Sequence, residues 1–154
     1  MTDQSTPPRP PRGGAPLGHL AELDPVSSAA VLYLRLWCEG QKAHIARDFD
    51  LALGADHGAG SFAAFCDLCR LCLDYGRRPL RRHHLSCACF GSDEACFAQL
   101  ITSAGEGARE DALMLGMLLV RPDIAPMLVA QAASVGLALQ RMMLRQRRNT
   151  CTLH

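Results

Sequence analysis

The sequence predicts an all-α fold, a compact bundle of five or six helices. In several segments apolar residues recur at the i, i+3, i+4 spacing of a helix face, whereas no segment alternates apolar and polar residues as a strand would. Glycine or proline marks each boundary between these segments. We therefore expect helices and no strand.

The helices follow one another with short connections. Asp24 and Pro25 supply the N-cap and the first-turn proline of the first helix, and Gly76 is a natural end for the third. Ser92 or Asp93 is the expected cap of the fourth helix, and Pro126 fits the first turn of the sixth. The predicted helices cover about 25–39, 41–53, 59–75, 93–103, 108–119 and 126–147.

Length and composition favour one folded domain. The chain has 154 residues, of which 49% are hydrophobic and 20% are charged. A chain of this size and composition can build a core without covalent staples. Residues 1–20 are rich in proline and glycine and are expected to form a disordered arm. The helical domain is then expected over 21–148, with a C-terminal tail at 149–154.

The net charge argues against one class of protein, and the first residues indicate a cellular compartment. The formal net charge is +1, which excludes a polycation that coats nucleic acid. Residues 1–14 contain no apolar export segment, so we expect a cytoplasmic protein whose cysteines stay reduced.

No membrane span is expected either. The longest apolar run, 112–120, is too short to cross a bilayer, and the mostly apolar segment 124–139 favours a buried helix.

Six of the eight cysteines lie between Cys66 and Cys96, and His83 and His84 lie in the same stretch. Thiols and imidazoles at this density are typical of a metal site. The segment between Gly76 and Gly91 is long for a connection without regular structure, which indicates that something orders it. We therefore expect a loop clipped by a metal between the third and fourth helices, within a site that spans 66–96.

Helix geometry limits the ligand set. Cys66 and Cys72 are separated by roughly 9 Å of helix rise, so they cannot share one tetrahedral zinc ion with bonds of about 2.3 Å. One C-x2-C pair can. The preferred zinc ligands are therefore Cys69, Cys72, Cys87 and Cys89, with His83 or His84 as a replacement for one thiolate and Cys66 and Cys96 as further alternates.

Other interpretations of the cysteines stay open. Cys66, Cys69 and Cys72 also follow the buried face of the third helix, where free thiols can simply fill the core. The same run has a spacing used by iron–sulfur proteins, although it lacks the following Cys-Pro and the glycines that let a loop wrap a cluster. Disulfides are the least favoured interpretation in a reducing compartment.

Four segments carry a resemblance to known sequences. They are CRLC at 69–72, RRPLRRH at 77–83, CACFGSDE at 87–94 and EDALMLGMLLVRPD at 110–123. In these segments, which cover about the latter half of the chain, the sequence resembles small, uncharacterised Cys/His-containing helical proteins of proteobacteria. The scarcity of lysine, with Lys42 the only one among sixteen basic residues, also favours a GC-rich bacterial source. The resemblance implies no activity.

Two clusters of arginines are candidates for binding phosphate or a partner. The first lies in the loop at Arg77, Arg78, Arg81 and Arg82, and the second on the last helix at Arg141, Arg145, Arg147 and Arg148. Nucleic-acid binding is nevertheless disfavoured, because the net charge is near zero and the helix after Gly107 is too apolar to contact base edges. The arginines can instead pair with acidic residues.

The sequence favours function through binding over catalysis. It contains no phosphate-binding glycine loop, no GxSxG and no HExxH, and four thiolate ligands leave no open position on zinc. We expect a zinc-binding cytoplasmic adaptor or regulator with another protein as its partner. The main alternative is a thiol-based redox or metal sensor in which Cys66 and Cys96 resolve an oxidised thiol.

Overall fold

The computed structural model describes residues 13–152, which form a helical bundle and one small antiparallel sheet. The helical bundle that the sequence predicts is confirmed. The two strands are β1 (Pro16–His19) and β2 (Cys89–Gly91). The helices are α1 (Pro25–Cys38), α2 (Lys42–Leu53), α3 (Ala55–Asp74), α4 (Ser92–Gly105), α5 (Arg109–Leu119) and α6 (Ala125–Thr152).

Helix boundaries follow the expected caps in most places. Asp24 caps α1, and its Oδ1 accepts a hydrogen bond of 3.0 Å from the backbone N–H of Ser27. Two boundaries differ from the prediction. Helix α3 starts directly after Gly54, four residues early, and α6 continues to Thr152 through most of the predicted tail.

The prediction that the chain has no strand is wrong. Strands β1 and β2 pair antiparallel, with Gly18 opposite Phe90 and His19 opposite Cys89. The backbone N–H of Leu20 donates a further 2.7 Å hydrogen bond to the carbonyl of Ala88. Strands of four and three residues are too short to show a period of two, so only their long-range pairing reveals them.

This pairing also corrects the expected N-terminal arm. Residues 16–19 are strand and Leu20–Glu22 form a short 3-10 helix, so the last part of the predicted arm is folded onto the domain. The rest of that prediction, residues 1–12, lies outside the described residues, as does the end of the predicted tail at 153–154.

Helix α6 runs through the core and crosses α4 at a pair of glycines. A Cβ atom on Gly136 would lie 2.8 Å from the Cα of Gly105 and would also collide with the carbonyl oxygen of Ile101. Contacts that close leave no room for a side chain, so these two glycines let the two helix backbones touch.

Helix α6 is also long and apolar enough to cross a membrane by length and composition alone, with a mean hydropathy of 1.3 over its most apolar 18 residues. Of those residues 44% are buried, and Leu128, Val135 and Leu139 are fully enclosed. The core helix of a soluble protein meets the same criteria. This burial agrees with the buried helix that the sequence favours at 124–139.

Candidate functional site

The segment that links α3 to α4, residues 76–91, holds most of the predicted site residues and is called the cysteine loop below. Its first residues are tied to the end of α5. Gly76 forms an antiparallel bridge with Val120, and the N–H of Arg77 donates to the carbonyl of Leu119 at 3.0 Å. Its last residues form β2.

A buried ion pair lies beneath the loop. Arg35 of α1 and Glu94 of α4 are both completely buried, and the Arg35 Nε and Nη2 atoms donate to the Glu94 carboxylate at 2.7 and 3.0 Å. A bidentate pair of this kind combines charge attraction with a fixed orientation of the guanidinium. The remaining donors of Arg35 are therefore aimed in one direction.

Those donors hold the backbone of the loop. Arg35 donates from Nη1 to the carbonyls of Cys87 and His84, at 2.7 and 3.2 Å, and from Nη2 to the carbonyl of Cys89, at 2.6 Å. One guanidinium therefore fixes the main chain on both sides of Ala88. The sequence predicts that a metal orders this loop. In the structure, hydrogen bonds from Arg35 hold the loop backbone.

Glu94 completes this arrangement from the other side. Its Oε2 accepts a 3.0 Å hydrogen bond from the N–H of Gly91, and its Oε1 accepts one of 3.1 Å from the N–H of His83. Helix α4 is thus capped by a glutamate that reaches back to Gly91, the N-cap residue, and not by Ser92 or Asp93 as the sequence predicts.

Asp93 makes a second ion pair instead of a cap. Its buried carboxylate accepts from both terminal nitrogens of Arg78, at 2.6 and 2.7 Å, and from the N–H of Arg81 at 2.8 Å. Engaged in this way, the carboxylate stabilises the middle of the loop.

Three of the four loop arginines are held by the chain itself. Arg77 donates to the carbonyl of Met117 at 3.0 Å, Arg78 pairs with Asp93, and Arg82 pairs with Glu39 at 2.9 Å. These contacts position the loop. The sequence-based expectation that the arginines bind phosphate stays a prediction.

The three cysteines of α3 lie in the hydrophobic core. Cys66, Cys69 and Cys72 are 5%, 1% and 5% exposed and pack in the same apolar cluster as Phe65 and Leu68. Burial raises the pKa of Cys69 well above its usual range and that of Cys72 to about 12. These two thiols therefore stay protonated and behave as apolar side chains.

Cys87 has the opposite environment. Its Sγ is 3.5 Å from Nδ1 of His83, and both side chains are partly exposed on the loop. The contact with His83, followed by a hydrogen bond from the N–H of Cys89 and the nearby Arg35 charge, lowers the pKa of Cys87. The same contact, aided by the Gly14 carbonyl and Glu94, raises the pKa of His83. The contact therefore stabilises the thiolate form of Cys87 and the protonated form of His83, each relative to its ordinary environment.

Cys89 also lies beside a histidine. Its Sγ is 3.9 Å from Nδ1 of His19, the residue opposite it across the β1–β2 pair. The other ring nitrogen of His83, Nε2, is 2.8 Å from the carbonyl of Gly14, on the segment that leads into β1. The two thiol–imidazole contacts thus lie along the small sheet and the loop that precedes it.

The predicted zinc ligands are not brought together. Cys69 and Cys72 are enclosed in the core, whereas Cys87 and Cys89 reach the surface of the loop. Among residues 13–152 no group of three or more His, Cys, Asp or Glu side chains is placed to hold a metal ion. In this arrangement the proposed four-cysteine set does not fit zinc, and the buried C-x2-C-x2-C run does not fit an iron–sulfur cluster. Both metal sites stay predictions from sequence.

The alternate ligands His84 and Cys96 contact other groups. His84 is exposed, and its Nδ1 is 2.9 Å from the hydroxyl of Ser86. Cys96 is half-buried, its Sγ lies 3.7 Å from the carbonyl of Leu115, and burial raises its pKa to about 11. Neither residue joins the Cys87–His83 pair in a group of three or more potential ligands within residues 13–152.

Sequence reasoning missed Arg35 and His19. Arg35 falls at the i+4 position from buried Val31, which is a core-facing place for a charged residue and therefore a signal that it needs a buried partner. His19 had no such signal, because only the β1–β2 pairing brings it to Cys89.

Comparison with known proteins gives no family for this arrangement. No protein-family model, curated protein or solved structure matches the chain. The geometry of the cysteine loop is therefore what indicates a function.

Proposed function

We propose that the chain is a thiol-based redox sensor in which Cys87 is the reactive thiol and Cys89 the resolving thiol. The observation that carries this proposal is the 3.5 Å contact between the Cys87 Sγ and Nδ1 of His83 on a partly exposed loop. An accessible thiol beside an imidazole is the arrangement that makes cysteine nucleophilic.

The contrast between cysteines supports a selective reaction. Burial raises the pKa of Cys69, Cys72 and Cys96, whereas the contact with His83 lowers the pKa of Cys87. The nucleophile in thiol oxidation is the thiolate. An oxidant therefore reacts first with the cysteine whose thiolate form is both favoured and exposed to solvent.

The rigid backbone around Ala88 supports the pairing of the two loop thiols. Residues two apart in a fully extended segment have Cα atoms near the upper limit of separation for a disulfide. The chain bends at Ala88, which shortens that separation. Arg35 holds the carbonyls on either side of this bend. Cys89 is thus a better resolving thiol than Cys66, which is buried in the core, or Cys96, which packs against α5.

The proposed reaction uses a hydroperoxide as oxidant. The Cys87 thiolate attacks one peroxide oxygen, an S–O bond forms as the O–O bond breaks, and the released alkoxide takes the proton from the His83 imidazolium. The Cys89 thiol then displaces the sulfenic oxygen, which leaves with two protons as water. Overall two thiols lose two electrons and two protons, and the hydroperoxide becomes an alcohol and water.

Disulfide closure offers a way to change the surface of the protein. A bond between Cys87 and Cys89 joins the two residues whose carbonyls Arg35 holds, next to the edge formed by β1 and β2. We propose that this change is sensed by a partner protein in the cytoplasm, in keeping with a regulatory role. Apolar side chains on α5, such as Met114 and Leu118, are exposed to solvent. Their exposure supports contact with a protein.

The zinc-binding adaptor that the sequence favours is the competing function. It requires Cys69 and Cys72 to leave the core, or another ligand set to form, because zinc binds deprotonated thiols. Zinc analysis of protein purified without added metal separates the two functions. One zinc per chain supports the adaptor, and its absence from folded, reduced protein supports the sensor.

Trapping the sulfenic acid tests the sensor. In a Cys89→Ser variant the oxidised Cys87 has no resolving thiol, so treatment with hydrogen peroxide and a 1,3-diketone probe is expected to label Cys87. The matched control is Cys151→Ser, since Cys151 is exposed near the end of α6. This control is expected to close the loop disulfide and to show little label at Cys87. Labelling that is equal at Cys87 and Cys151 in the Cys89→Ser variant contradicts the proposal.

A further inference from the structure

The second half of α6 forms one wall of a groove that has no connection with the cysteine loop. Arg141, Arg145 and Arg148 recur at i, i+4 and i+7, the spacing of a single helix face. They face the corner between α2 and α3, and two adjoining cavities of about 570 and 350 Å³ lie between these elements. Both cavities are lined by Arg145 and Arg148.

The smaller cavity is lined by arginine, histidine and leucine side chains and, among the described residues, by no carboxylate. His57 of α3 lies opposite the three arginines, and Leu53 and Leu144 supply the apolar wall. Arg145 is anchored through a hydrogen bond to the carbonyl of Ala52, near the end of α2. In the part of the chain that the structure describes, the guanidinium groups of Arg141 and Arg148 make no hydrogen bond or ion pair, so their donors point to solvent in the groove.

The larger cavity is more neutral. Asp48 lines it, but the Asp48 carboxylate accepts a 3.2 Å hydrogen bond from the Tyr33 hydroxyl and is 3.7 Å from Nε2 of His44. Gln146 and Asn149 add uncharged donors and acceptors. The groove therefore has a cationic end at the smaller cavity and a polar end of mixed charge at the larger one, which Asp48 lines together with Arg145 and Arg148. Its combined size is typical of small-molecule sites.

Helix stability alone does not explain the arginines. Like charges four residues apart on a helix repel each other and destabilise it. Cations in the last turn compensate the helix dipole, but this effect is confined to that turn, and Arg141 lies eleven residues before Thr152. An anion in the groove offsets the repulsion between the three guanidinium groups.

We infer that this groove binds a small molecule with two or more phosphate groups, held by Arg141, Arg145 and Arg148, whose uncharged remainder lies in the larger cavity. Guanidinium groups bind phosphate through paired charge-assisted hydrogen bonds, and three of them match the charge of a diphosphate. A nucleoside diphosphate has this chemistry and a size that suits the groove.

Calorimetric titration with inorganic pyrophosphate and with ADP tests this inference. We expect both probes to bind, ADP more tightly because it reaches the larger cavity. Arg148→Ala is expected to raise the dissociation constant at least about tenfold, since one charge-assisted contact is lost. Arg147→Ala is the matched control: Arg147 neighbours Arg148 on the helix but lines a different cavity beside Pro25 and Val26. Binding by this control should change less than about twofold.

Three results overturn the inference. One is the absence of binding by either probe at millimolar concentration. Another is an equal loss of affinity in the Arg147→Ala and Arg148→Ala variants, which indicates non-specific attraction. The third is binding of a single-stranded octanucleotide at least ten times tighter than that of ADP, which assigns the groove to nucleic acid. Circular dichroism on both variants checks that the fold is kept, as expected for exposed Arg147 and Arg148.

Discussion

The Arg35 guanidinium and the Glu94 carboxylate meet in the interior at 2.7 Å, with neither side chain exposed to solvent. Each group also holds the cysteine loop: Arg35 through three backbone carbonyls, and Glu94 through the N–H groups of His83 and Gly91. The pair thus joins α1, α4 and the loop. It explains how a long connection can hold Cys87 beside His83.

The first prediction concerns the cost of breaking this pair. Arg35→Met leaves the Glu94 charge buried and the loop carbonyls without donors, so the free energy of unfolding should fall by about 3–5 kcal/mol. For Glu94→Gln, which keeps an acceptor for Gly91, the free energy of unfolding should fall by less. Urea denaturation measures both variants.

A surface ion pair provides the control for that measurement. Arg82 and Glu39 meet at 2.9 Å, but their side chains are 28% and 34% exposed. Arg82→Ala should therefore cost no more than about 1 kcal/mol. An Arg35→Met protein as stable as Arg82→Ala would show that the buried pair does not order the loop.

The second prediction concerns the reactivity of Cys87 as a function of pH. The hydrogen-bond contact with His83 lowers the pKa of Cys87, so the thiolate fraction of the wild type rises with pH at a midpoint below the usual value of 9.0. His83→Gln keeps a polar side chain but removes the imidazole that contacts the thiol, which should move this midpoint upward. The midpoint is measured by alkylating Cys87 with iodoacetamide across a pH series on both sides of 9.0. Mass spectrometry quantifies the alkylated product.

His84→Gln is the matched control, because His84 contacts Ser86 and not the Cys87 thiol. Its alkylation profile should coincide with that of the wild type. If His83→Gln also leaves the profile unchanged, the imidazole does not activate the thiol.

The third prediction separates buried from exposed cysteines. Cys69 is 1% exposed, so Cys69→Ser places a hydroxyl in the core. This substitution should cost about 1–3 kcal/mol of stability. Cys87→Ser, on the partly exposed loop, should cost only about 0.5 kcal/mol or less. Thermal denaturation of the two variants provides the comparison. A zinc site that uses both residues predicts a large loss in each, so equal large losses favour the metal.

The fourth prediction concerns the crossing of α4 and α6. Gly136→Ala inserts a methyl group whose distance from the Cα of Gly105 would be 2.8 Å. This substitution should lower the free energy of unfolding by about 1–3 kcal/mol. Gly60→Ala is the control, because Gly60 lies within α3 with nothing inside 4 Å of the new methyl. The control should be stabilised by about 0.5–1 kcal/mol. Chemical denaturation that ranks the two variants in the opposite order contradicts the close helix contact.

Most of the helices could be predicted because the residues that start and end them act locally. Caps such as Asp24 and breaks such as Gly54 act within one turn of the chain, so five of the helix starts fall within two residues of their predicted places. The strands could not be predicted, because β1 and β2 are defined by pairing across 70 residues between His19 and Cys89.

The candidate site was predictable in part for the same reason. The density of thiols and imidazoles drew attention to the cysteine loop, and His83 and Cys87 are neighbours there. The sequence could not show that the cysteines divide into a buried group and an exposed group. Periodicity places Cys69 and Cys72 on a buried helix face, but it does not show that this face lies away from the loop thiols. The role of Arg35 depends on Glu94, which is 59 residues away.

The most direct measurement of the central proposal is a peptide map of the wild-type protein after reaction with one equivalent of hydrogen peroxide. We expect the peptide that contains Cys87 and Cys89 to lose two hydrogens through an internal disulfide, while Cys66, Cys69 and Cys72 stay reduced in the core. Reduction with dithiothreitol should restore the original mass. Oxidation that spares Cys87 and appears first at Cys151 or at the α3 cysteines would contradict a sensor built on the Cys87–His83 pair.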